Sequence, residues 1–114
     1  MLESLKKLKT SLLKKKDTYN RGQSLADDCN VKELIIMVAA LNGFTVEDYR
    51  IMLNKIINES TYENLHEIEV LIKVLRTSHY FDAVRSDIAL EISNLHIKYN
   101  MLLNQNNKSK FNMK

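Results

Sequence analysis

Cys29, the histidines at 66, 79 and 96, the pair Glu63 and His66, and the charged set Asp82, Arg85 and Asp87 are the residues whose types suit catalysis or metal binding. Each can be weighed by what its chemistry requires. A di-iron bundle needs two Glu-x-x-His motifs and two further inward-facing glutamates. Glu63 and His66 supply one motif, but Ser93 and Arg76 stand three residues before His96 and His79, so a second is missing. One thiol cannot build a cysteine cluster, and neither a metal nor any other cofactor is expected. Cys29 lacks a histidine at a spacing that suggests an activated thiolate. Gly22 and Gly43 are the only glycines, too few for a phosphate-cradling loop. Asp82, Arg85 and Asp87, with His79 one turn earlier, include acid and base types at the spacing of ordinary pairs on a helix surface. These residues therefore predict a protein that is not an enzyme.

The candidate anion-binding residues are Lys6, Lys7, Lys9, Lys14, Lys15 and Lys16, of which Lys6, Lys7, Lys9, Lys14 and Lys16 lie largely off the stripe formed by Leu2, Leu5, Leu8, Leu12 and Tyr19. That spacing predicts a basic amphipathic helix over about 2–19. Its simplest role is to add its leucines to a core and leave its lysines in water. It lacks the Trp and Phe that favour a membrane surface, and the arginines and interleaved aromatics that favour nucleic acid. Charge is nevertheless segregated. Residues 1–21 carry net +5, residues 22–104 net −5, and the last ten residues add three lysines, for +3 overall.

Residues 31–58 resemble a helix-turn-helix in pattern, with Ala39, Gly43, Tyr49 and Met52 at suitable offsets. In such motifs the start of the second helix approaches base edges between phosphates. Here that start is Thr45, Val46, Glu47 and Asp48, whose two carboxylates would repel the backbone. They fit equally well as favourable charges at a helix N-terminus.

Several elements must position these residues. The 114 residues contain no proline and two glycines, with 45% hydrophobic and 27% charged residues, which indicates helices around a core. Gly22 breaks the first pattern, and 21–24 is expected to be a loop. Asn30 with Glu33, Thr45 with Asp48, and Ser60 with Glu63 have the capping-box spacing. They predict helices over about 31–42, 46–58 and up to 77, with Gly43 as a left-handed residue closing the first of these. Phe81, Val84, Ile88, Ile92, Leu95, Tyr99 and Leu102 predict a further helix over about 80–104, after a phase change at 76–81 that fits either a corner or a kink. The expected fold is all-α, a compact bundle of four to five helices in a single domain over 1–104, with a flexible polar and basic tail over 105–114. The lone cysteine, the absence of a secretory pattern, and apolar runs no longer than that at 34–41 favour a cytoplasmic protein without a transmembrane segment.

Apolar residues remain in surplus. Tyr62, Tyr80, Phe81, Tyr99 and Met101, with Met37 and Ile51, exceed what the core stripes require. Tyr80, Phe81, Tyr99 and Met101 are the candidate partner-binding residues. The resulting expectation is a protein-binding helical module, such as a small adaptor, chaperone, inhibitor or immunity-type protein, whose partner is another protein or a second copy of itself. The alternative is a small nucleic-acid-binding regulator using residues 31–58 and the basic ends.

Overall fold

A computed structural model describes residues 21–41 and 43–112. Five α-helices lie among them: α1 (Arg21–Asp28), α2 (Val31–Ala40), α3 (Val46–Glu59), α4 (Leu65–Thr77) and α5 (Ala89–Asn112), with short 3-10 turns at Tyr62–Asn64 and His79–Phe81. The fold is an all-α bundle, as the periodicity predicts. The helix expected over 2–19, with Lys6, Lys7, Lys9, Lys14, Lys15 and Lys16, lies outside the described residues.

Local signals explain most helix starts. The Asn30 side chain accepts the Glu33 amide at 2.9 Å while the Glu33 carboxylate accepts the Asn30 amide at 3.0 Å. Thr45 and Asp48 make the same reciprocal pair at 3.1 and 3.0 Å. Such a cap stabilises a helix by about 1 kcal/mol. The third expected cap is displaced by one residue. The Ser60 hydroxyl donates back to the Ile56 carbonyl and closes α3, and the reciprocal pair is Thr61 with Asn64. α2 ends at Ala40, with Leu41 extended, two residues before the predicted end. Gly43, at φ +86°, supplies the left-handed turn inside the connection to α3.

The loop expected at 21–24 is instead the beginning of α1. Gly22 is a point of close approach: a Cβ there would stand 2.5 Å from the Asp48 Cα and 2.7 Å from its carbonyl oxygen. Its amide donates to Asp48 Oδ1 at 2.8 Å. At the other end of α1, Lys55 donates to the Ala26 carbonyl, and Leu25 between them is fully buried. Eight residues are too few to hold a helix alone, so α1 depends on this seat against α3.

A corner separates α4 from α5. Ser78 is extended, the 3-10 turn follows, and residues 82–88 form successive turns through Arg85 N–H to Phe81 C=O at 2.7 Å and Ile88 N–H to Val84 C=O at 3.1 Å. Regular α-helix therefore begins at Ala89, later than the expected 80. It continues to Asn112, so the backbone of 105–112 is helical where the polar composition predicts a flexible tail. α3 packs against α1, α2 and α5, and α4 against α2 and α5. The core between them includes Leu34, Val38, Met52, Leu53, Leu71, Leu75 and Leu95. Tyr49 packs between Phe44, edge to face, and Phe81, at a tilt, with ring centroids 5.6 and 5.4 Å away.

Candidate functional site

Several of the side chains with chemical potential are buried or held in structural contacts. Cys29 is buried. The amide of Glu63 donates to the Thr61 hydroxyl at 3.3 Å, and both Glu63 and His66 are exposed. Among the described residues no three His, Cys, Asp or Glu side chains are grouped so as to hold a metal ion. Arg85 clasps the end of α4: Nε donates to the Leu75 carbonyl at 2.8 Å, Nη2 to the Ser78 carbonyl at 2.6 Å, and Nη1 to Asp82 Oδ1 at 2.8 Å. Asp82 also meets His79 Nδ1 at 3.1 Å. The Arg85 and then the His79 hydrogen bond hold the Asp82 carboxyl below its usual pKa. The Asp87 carbonyl accepts from Arg50 at 3.0 Å. Arg50 Nε is 4.0 Å from Glu91 Oε1, a buried oxygen without a hydrogen-bond partner.

A second set ties α4 to α5. Arg76 Nη2 lies 2.9 Å from His96 Nδ1, and the Tyr99 hydroxyl donates to Glu69 Oε2 at 2.9 Å. The Glu69 hydrogen bond raises the Tyr99 phenol above its ordinary pKa. His96 and Tyr99 meet edge to face at 6.4 Å.

One of the four candidate partner-binding residues is therefore corrected. Phe81 is 1% exposed and belongs to the core, because the 3-10 turn rotates it inward onto Tyr49. Tyr99 is half-buried against the core and committed to Glu69. Met37 is likewise core, and Ile51 is half-buried. Tyr80 and Met101 are exposed, at 74% and 53%.

Met101 has company that the core stripe concealed. Leu90 is 68% and Ile97 57% exposed. At 100° per residue, Leu90, Ile97 and Met101 fall within about 40° of one another on α5, roughly opposite Ile92, Leu95 and Leu102. α5 is thus apolar on two faces, and one of them meets the bundle. The signal was present as apolar residues at i, i+7 and i+11. Deciding that they point outward required knowing which side α3 and α4 occupy. No described helix is long and apolar enough to cross a membrane.

No protein-family model, curated protein or solved structure matches this chain.

Proposed function

We propose that this protein is a non-enzymatic binding module, of the adaptor, chaperone, inhibitor or immunity type, that engages a protein partner through the outward face of α5. The observation that carries the reading is the aligned exposure of Leu90, Ile97 and Met101 on one helix. Isolated exposed apolar residues are ordinary, but three on one stripe are a surface whose burial is favourable by about 1.5–3 kcal/mol per side chain. The charged residues that resemble catalytic groups support it indirectly, since Arg85, Asp82 and His79 fasten a helix end.

The alternative nucleic-acid regulator draws on the basic ends of the sequence. Against it, the first turn of α3 offers Glu47 to solvent and turns Asp48 into α1. The two readings separate by measurement. Wild type and a Leu90→Ser/Ile97→Ser variant are compared for capture of cross-linked protein under native conditions. Loss of a specific partner in the variant is expected. Capture unaffected by the variant, or binding to a labelled duplex that falls steeply with salt, would overturn the α5 reading.

A further inference from the structure

We infer that Met101 is a reversible oxidation site, and that converting its thioether to the sulfoxide releases a partner from the outward face of α5. Release rests on the proposed use of that face; oxidation rests on exposure and chemistry alone. Among the described residues sulfur occurs at Cys29, Met37, Met52 and Met101. Cys29 is 3% exposed, Met37 1% and Met52 0%, all within the core, whereas Met101 is 53% exposed. A peroxide in solution therefore meets one described sulfur without any opening of the bundle, and that sulfur lies on the stripe with Leu90 and Ile97.

The reaction is a two-electron oxygen transfer. A lone pair of the Met101 sulfur attacks one oxygen of hydrogen peroxide, the O–O bond breaks, and the proton on the attacked oxygen passes to the other, which leaves as water. Sulfur is oxidised and peroxide reduced. A dithiol reductant, with a sulfoxide reductase as catalyst, reverses the step: the oxygen departs as water and the two thiols become a disulfide. The oxidised side chain is polar and chiral where the thioether was apolar and flexible. Methionine is enriched at partner surfaces because its thioether adapts to the shape it meets. A partner that packs against a thioether provides no donor for a sulfoxide oxygen, and burying that acceptor unpaired weakens association by roughly five- to 150-fold. Position keeps the penalty off the fold. Met101 stands one turn beyond Ile97, and the buried Leu102 next to it in the chain lies about 100° further round the helix. The bundle is thus indifferent to a change that its outward face registers.

The test uses the full chain and dilute hydrogen peroxide. Peptide mass spectrometry should find Met101 oxidised roughly tenfold or more faster than Met37 and Met52, which react only when the bundle opens. The oxidised protein should melt within about 4 °C of the untreated one, as surface changes do. Capture of the protein partner that Leu90→Ser/Ile97→Ser loses should fall roughly fivefold or more on oxidation and return after treatment with methionine sulfoxide reductase and dithiothreitol. In Met101→Leu, which keeps every other sulfur, capture should survive peroxide. Oxidation of Met101 no faster than of Met37 and Met52 would overturn the site, and a larger fall in melting temperature would place Met101 in the core and overturn it too. Capture unchanged by oxidation, or lost equally in Met101→Leu, would overturn the switch; the wider binding reading then stands as long as Leu90→Ser/Ile97→Ser still loses the partner. Equal capture by that double variant and wild type overturns the binding reading and the switch together, while the oxidation site stands on its own measured rate.

Discussion

Both carboxylate oxygens of Asp48 are engaged, Oδ2 by the Thr45 amide at 3.0 Å and Oδ1 by the Gly22 amide at 2.8 Å, in a site with no exposure to water. Asp48→Ala leaves two amides without their acceptor. At about 1.5–3 kcal/mol for a hydrogen bond to a charged group, the variant should lose roughly 3 kcal/mol or more, read as a lower urea midpoint. The sequence reveals Asp48 as a cap because Thr45 is three residues away. Its second partner is 26 residues distant and leaves no local trace. Tyr99 permits a test by pH. Its phenol donates to Glu69, so its folded pKa lies above the ordinary 10.0. A raised pKa stabilises fully below the ordinary value and stops doing so as pH rises through the raised one. Wild type should therefore lose its stability advantage over Tyr99→Phe only in strongly alkaline solution. A constant difference between the two across that titration would contradict the hydrogen bond.

At the level of elements, reciprocal caps at Asn30 and Thr45 are legible because both partners lie within one turn. The segment 21–28 is not, because Gly22 has the composition of a break and the geometry of a contact. The corner after α4 was equally obscure, since Arg85 secures it by reaching back ten residues to the Leu75 carbonyl. Arg85→Met should remove that clasp and destabilise by about 1–3 kcal/mol, with faster amide exchange at the end of α4 than elsewhere. Gly43 is a sharper case. At φ +86° and with open space around it, the cost of a side chain is conformational alone. Gly43→Val should cost more than about 1 kcal/mol, while Gly43→Asn, which tolerates the left-handed region, should cost less. Equal melting temperatures for the two variants would refute that assignment.

For the whole molecule, the absence of proline and the three- and four-residue apolar steps suffice to indicate an all-helical bundle. The outward face of α5 does not follow from them, because Leu90 and Ile97 are indistinguishable from core residues until the bundle has a side. The seat of α1 also orders events in time. Its acceptor exists in place only once the turn 45–48 has formed, and its eight residues cannot hold a helix beforehand. Docking of α1 should thus follow the rate-limiting step. In a chevron experiment Gly22→Ala, which crowds the Asp48 backbone by about 1–3 kcal/mol, should leave the refolding limb within about twofold of wild type. The unfolding limb should rise roughly five- to 150-fold. The α1 end of the bundle is then the first part to come away, and its detachment sets how long the native state survives.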